Sequence, residues 1–209
     1  MIVIKPSIEI LTKINSDEVL KMIELAGRTC YKSESNITKD SAKDFVKMLI
    51  KRGHEAMIEH YNVTIRFICD RGVTHEIVRH RIASYAQEST RYCNYSKDKF
   101  GNEITVIKPC FWDEFSPQYI AWYSACARTQ DTYFDLLKLG STPQEARSVL
   151  PNSLKTEIVV TMNLREWRHF FKLRTAKTAH PQMREVAIMA LNQMKEMIPV
   201  VFNDIEEEQ

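Results

Sequence analysis

The sequence predicts an α+β fold, with helices interleaved among a few strands, and three observations carry the prediction. Most segments repeat their apolar residues at helical spacing. Between them lie one alternating stretch, Tyr61 to Cys69, and one short apolar run, Glu157–Met162. The chain has 209 residues, 44% of them hydrophobic, which is enough for one substantial core. No internal repeat, low-complexity linker or domain boundary is visible, so residues 1–209 are expected to form a single domain.

Each element has a local reason. Ile2–Ile10 is apolar enough to form a first strand. Ser16 is placed to cap a helix, with Asp17 and Glu18 in its first turn, Val19, Ile23 and Ala26 on one face and Gly27 near its end. Thr38 starts a second helix carrying Ala42, Phe45, Val46, Leu49 and Ile50, with Gly53 just beyond. Val63, Ile65, Phe67 and Cys69 alternate with polar neighbours, the pattern of a half-buried strand.

The spacing predicts a helix over Val73–Arg81, which would bring Glu76 near His80 and His75 near Arg79. Ser84 to Ser96 reads as an extended loop. Ser116-Pro117 opens a long helix that ends near Gly140. Thr142-Pro143-Gln144-Glu145 is a capping box for a short helix carrying Arg147, and Pro151 stops it. Glu157–Met162 is expected to be a buried strand.

Asn163-Leu164-Arg165-Glu166 is a second capping box at a strand-to-helix junction. The helix after it turns Leu164, Trp167 and Phe171 inward and Arg165, His169 and Lys172 to a polar side. A last helix, Pro181–Met197, leads to an acidic tail, Asp204–Glu208.

Composition narrows the function. A net charge of +2 lacks the strong basicity of a nucleic-acid-binding domain. No apolar run is long enough to span a membrane, and the first residues read as a strand and not a signal peptide. Five widely spaced cysteines without a Cys-x-x-Cys pair fit free thiols in a reducing, cytoplasmic setting. The five glycines form neither Gly-x-Gly-x-x-Gly nor a P-loop. Any nucleotide or flavin must therefore be held by arginines, hydroxyls and helix starts.

Those groups concentrate in the run from Arg79 to Arg91, Arg-His-Arg-Ile-Ala-Ser-Tyr-Ala-Gln-Glu-Ser-Thr-Arg. Arginine forks match phosphate geometry, and hydroxyls and backbone N–H groups supply further donors. The chemistry suits a pocket for phosphorylated, planar small molecules. His54, Glu55, Glu59 and His60 form a second polar cluster. The two histidines are six residues apart, so His-Glu-x-x-His is absent, and no metal is expected.

Arg79-His80-Arg81, seven residues, then Ser89, with Arg91 beyond, resembles the signature of the flavin-dependent thymidylate synthases. Glu145-Ala146-Arg147-Ser148-Val149-Leu150-Pro151 is similar to that family's Glu-x-Arg-x-x-Leu-Pro pattern. The resemblance implies helices packed around a central, largely antiparallel sheet. It further implies methylation of dUMP to dTMP, with methylenetetrahydrofolate giving the carbon and NADPH supplying electrons through FAD. A homotetramer with sites shared between subunits is implied too.

Residue by residue, the resemblance implies FAD contacts at Arg79, His80 and Arg81, and at Asn163, Leu164, Arg165 and His169. Ala56 stands where some relatives have a threonine, so only its backbone could reach FAD. Glu76, Ile77, Val78 and Arg79, then Gln87, Glu88, Ser89, Thr90 and Arg91, are implied to bind dUMP, as is Arg147. Arg174 is implied to bind the uracil ring and favour its ionised N3 form, acting electrostatically because arginine stays protonated. No cysteine nucleophile is implied, although Cys93 lies close to Arg91. A metal-dependent nucleotide hydrolase built on the His54/Glu55/Glu59/His60 cluster, and a non-catalytic nucleotide- or RNA-binding module, are the alternatives.

Overall fold

The computed structural model describes residues 1–97 and 101–206. The chain resolves into two compact units that interleave along the sequence. Unit one holds Met1–Ser7, Phe67–Arg79 and Ala86–Ile158; unit two holds Ile8–Arg66, His80–Tyr85 and Val159–Gln209. The fold is α+β, as expected, with a four-stranded antiparallel sheet.

The first strand is broken in two. Pro6 has no N–H to give a ladder, and on either side of it lie β1 (Ile2–Ile4) and β2 (Ser7–Ile10). β1 pairs in parallel with β5 (Thr105–Ile107), Ile2 facing Thr105, a small second sheet that the alternation did not announce. β2 joins β3 (Asn62–Asp70), β6 (Lys155–Asn163) and β4 (Ser84–Gln87) in the order β2-β3-β6-β4. β4 corrects the expected loop from Ser84: a polar four-residue strand carries no apolar alternation to betray it.

β3 keeps the predicted pattern, burying Val63, Ile65, Phe67 and Cys69. β6 does not form a strand buried on both faces. Thr156, Ile158, Val160 and Met162 are buried while the residues between them are half-exposed.

In unit two, α1 (Ser16–Thr29) starts one residue earlier in cap than expected, because the Asn15 carboxamide, and not Ser16, accepts from the Asp17 and Glu18 N–H groups. α2 (Ser41–Lys51) starts three residues after Thr38, whose N–H instead donates to Ser41 Oγ. It closes with Gly53 at φ +69, where the Gly53 and His54 N–H groups return to Ile50 and Leu49 carbonyls. α6 (Leu164–Arg174) and α7 (Pro181–Met197) follow the prediction, and a short α8 (Pro199–Phe202) was not foreseen. Trp167 is wholly buried, stacks on Phe171 at 5.6 Å and donates its indole N–H to the Val63 carbonyl at 3.0 Å.

The expected acidic tail is only partly described, since residues 207 and 208 lie outside the described residues. Asp204 is exposed but tied to the fold. It accepts two hydrogen bonds from Arg168, at 2.6 and 2.7 Å, and Arg168 also donates to Glu55 at 3.0 Å and to the Val201 carbonyl.

In unit one, α3 (Arg71–Ile77) begins at Asp70, whose carboxylate accepts the Val73 N–H at 2.8 Å. It ends before Arg79, so the helical pairing of His75 with Arg79 and of Glu76 with His80 does not form. α4 (Pro117–Lys138) is capped by Ser116 as predicted, and the Thr142–Glu145 capping box is made in full ahead of α5 (Pro143–Ala146). A 3-10 turn, Arg147–Val149, carries Arg147. Tyr95, Ile104, Val106, Cys126, Tyr133, Ala146 and Leu154 form the core here.

Candidate active site

The residues singled out from the sequence fall into two groups, one in each unit. In unit one the loop after β4 is built by specific bonds. Gln87 donates to the Thr74 and Thr156 hydroxyls at 3.1 and 3.4 Å, so its amide NH2 ties β4 to α3 and β6. The Glu88 N–H reaches the Glu157 carbonyl at 2.9 Å, and the Glu88 carboxylate accepts from Lys155 at 3.1 Å and from the Tyr95 hydroxyl at 3.4 Å. Lys155 also meets Glu157 at 2.6 Å. Although burial works against the Lys155 charge, those two carboxylates hold its pKa above the ordinary value.

The loop then turns at Ser89, whose Oγ accepts the Arg91 N–H at 3.3 Å. Thr90 is buried and its hydroxyl accepts from Arg147 Nη1 at 3.3 Å. Two segments 57 residues apart in sequence, each read separately as nucleotide-binding, thus meet through Arg147 and Thr90. Arg79, Arg91 and Arg147 are all exposed, whereas the Ile77 side chain is wholly buried and can offer a ligand only backbone. Val78 and Glu76 flank it at the end of α3.

In unit two the centre is His80, 5% exposed. Its Nδ1 lies 3.0 Å from Glu166 Oε1, and its Nε2 lies 3.2 Å from Arg174 Nε. The His169 and Phe170 rings pack against it at 5.6 and 4.9 Å, and the Tyr85 hydroxyl donates to its carbonyl. Burial pushes the His80 pKa below its ordinary value; the Glu166 hydrogen bond opposes this and the Arg174 charge reinforces it. The imidazole is therefore neutral near pH 7. Burial, aided by Glu166, pushes the Tyr85 hydroxyl up to about 12.

Asn163 caps α6 as predicted, accepting the Glu166 N–H at 2.9 Å. The reciprocal half of the capping box is not made, because the Glu166 carboxylate turns to His80. A cleft of about 430 Å³ opens along this helix, lined by Asn163, Arg165, Glu166, His169 and Lys172 with Ile82 and the carboxylates Glu55 and Glu59. Leu164 is buried beneath it and Arg81 is exposed. Ala56 lies in a separate, more apolar cleft of about 520 Å³ with Cys30, Phe45 and Met57, so the structure does not bring it to the Asn163–His169 group.

The His54/Glu55/Glu59/His60 cluster does not assemble as metal ligands. Glu55 pairs with Arg168 and Lys172, and Glu59 with Arg165 at 2.5 Å. The histidine and carboxylate atoms of His80, Glu166 and His169 do converge within 4.8 Å. A guanidinium donating to His80 Nε2 is, however, the wrong neighbour for a cation.

Sequence reasoning missed the partnership of Glu166 with His80 and the burial of Arg168. The sequence around Glu166 shows only a helix cap, and nothing local marks an arginine for burial.

The family model described as "Thymidylate synthase complementing protein" matches residues 11–200. A flavin-dependent thymidylate synthase of Pyrococcus abyssi is 37% identical over 173 residues, covering 81% of this chain and 70% of that protein. Its counterpart in Corynebacterium glutamicum is 34% identical over 218 residues, covering 95% and 84%. The UMP/dUMP methylase PolB of Streptomyces cacaoi, solved with 5-Br dUMP, superposes with a TM-score of 0.80 over 97% of this chain and 96% of its own, at 22% identity, a likeness of fold. With the two polar groups described above, these matches make the chain an enzyme. It belongs to the flavin-dependent thymidylate synthase family.

Proposed function

We propose that the protein methylates dUMP to dTMP, with methylenetetrahydrofolate as carbon donor and NADPH as reductant by way of FAD. Family membership supports this reading. The observation in the chain itself that carries it is the Arg147–Thr90 bond, which joins the two separate nucleotide-binding motifs.

The donor set of the unit-two cleft fits FAD. Arg165 and Lys172 would turn from their pairings with Glu59 and Glu55 to the flavin's phosphates, while Asn163 offers an amide and Ile82 an apolar surface. Bound there, the flavin would supply the redox chemistry. The protein's own groups do the rest. Arg79, Arg91 and Arg147, with the Ser89 and Thr90 hydroxyls, have the paired donors that a nucleotide phosphate requires. Arg174 is held by His80 and, being always charged, stabilises negative charge on the uracil ring. Following the family, the active form is a homotetramer in the cytoplasm. Among the described residues no helix is long and apolar enough to cross a membrane.

The decisive assay supplies dUMP, methylenetetrahydrofolate and NADPH to the purified protein, which should be yellow and form dTMP. A colourless protein that hydrolyses nucleotides with a divalent cation, or one that binds RNA without turnover, would defeat the reading. Arg147→Ala is expected to raise KM for dUMP about 10- to 100-fold, the weight of a charged hydrogen bond; an unchanged KM would remove Arg147 from the nucleotide site.

Cys93 packs against the unit-one core and its N–H bonds the Ser89 carbonyl at 3.0 Å. Cys93→Ser should therefore still form dTMP, and mass spectrometry of the wild type should show no covalent nucleotide. An adduct on Cys93 would contradict this.

A further inference from the structure

Arginine cannot surrender its proton under working conditions, so the Arg174 Nε–H is a donor at every relevant pH. It points at His80 Nε2 from 3.2 Å. That nitrogen must then carry a lone pair, which puts the single proton of the neutral ring on Nδ1. Glu166 Oε1 is 3.0 Å from Nδ1 and accepts it. An ionised carboxylate only accepts hydrogen bonds, so Glu166 admits one of the two neutral tautomers and rejects the other.

The geometry along α6 fits this division of labour. Glu166, Phe170 and Arg174 are spaced four residues apart, so they form a stripe on one helix face. The His80 ring lies against that stripe, bonded to Glu166 at one end and Arg174 at the other, with the Phe170 ring 4.9 Å away between them. The Glu166 side chain is 11% exposed and that of His80 is 3% exposed, so water competes little for either bond. Asn163 fixes the backbone beneath Glu166.

We infer that Glu166 is a positioning residue that sets the His80 tautomer and thereby aims the Arg174 guanidinium. With the proton on Nε2, two donors would face each other and the Arg174–His80 bond would be lost. With it on Nδ1, one edge of the guanidinium is anchored and its plane is fixed. This assignment rests on the dUMP-methylating reading for its catalytic consequence, but its structural half does not.

The test uses intact protein labelled with 15N in histidine, in which protonated and lone-pair ring nitrogens resonate far apart. Wild-type His80 is expected to be protonated on Nδ1 alone. Glu166→Gln should show both tautomers, since an amide can accept or donate. Glu166→Ala should lower kcat for dTMP on the order of 100-fold, the effect of a misaimed catalytic group, and Glu166→Gln should recover part of that loss in step with its Nδ1–H population.

A wild-type ring protonated on Nε2 overturns the inference. So does Glu166→Gln with wild-type kcat, or with a lowered kcat and an unshifted tautomer. If Glu166→Ala does not fold, the glutamine variant and the wild-type spectrum decide. A wild type that forms no dTMP defeats the proposed function instead, and the spectrum, which needs no turnover, still tests the tautomer.

Discussion

Arg174→Ala is expected to keep its flavin and to lose dTMP formation on the order of 100- to 1,000-fold, the cost of removing one preorganised electrostatic donor. The expectation follows from two facts on different levels. Arg174 is the last residue of α6, and its side chain is anchored by a buried, neutral imidazole. A guanidinium held this way pays little reorganisation when charge develops on a substrate ring. The cleft along the same helix draws on Asn163, Arg165 and His169 and not on Arg174, so flavin absorbance should survive. Near-normal turnover in the variant would remove Arg174 from the chemistry. Arg174→Lys should not restore full activity, because a lysine has no planar fork to hold in register.

The second large effect is on stability. Arg168→Ala is expected to destabilise the fold by about 1–3 kcal/mol, the weight of the hydrogen bonds lost and of the Val201 carbonyl left without its donor, since the half-exposed Asp204 recovers solvent. The Arg168 side chain is 2% exposed and serves Asp204 through two hydrogen bonds, Glu55 through a third and the Val201 carbonyl through a fourth. Urea denaturation measures the loss directly, and a midpoint near that of the wild type would show that the network contributes little.

A pH dependence accompanies it. The Arg168 hydrogen bonds, foremost, hold the Asp204 carboxyl below its ordinary value of 3.8. A folded pKa below the unfolded one means that the contribution is complete above that value and is lost as pH falls through the folded pKa. Asp204→Asn should therefore flatten the acid limb of the stability curve, while leaving the neutral region lowered.

Local signals carried much of the fold. The β3 alternation, the Ser116 cap, the Thr142–Glu145 box and the bounds of α7 were all legible because each depends on residues within a turn of one another. What failed was long-range. No glycine or proline marks the end of α3, so the spacing carries the helical pattern on to Arg81; the helix in fact ends at Ile77, and His80 bonds Glu166, 86 residues away. β4 was missed because its partner strand, and not its composition, makes it a strand.

The site divides in the same way. The motif residues could be named one by one, and the structure brings Arg147 to within a hydrogen bond of Thr90. The roles of Glu166 and Arg168 could not be named. A charged residue is buried only where distant partners compensate it, and those partners are not encoded nearby.

The distances in sequence also order events during synthesis. The indole of Trp167 bonds the Val63 carbonyl across 104 residues, Arg165 meets Glu59 across 106, and Arg168 meets Glu55 across 113. At ribosomal speeds of roughly 5–20 residues per second, the segment from Glu55 to Ile65 leaves the exit tunnel about 5–20 seconds before α6 can cover it. During that interval the Val63 carbonyl and the Glu55 and Glu59 carboxylates lack their partners on α6. Until α6 is made, water must satisfy those groups, so the bonds that tie this segment to the C-terminal third are among the last that synthesis allows.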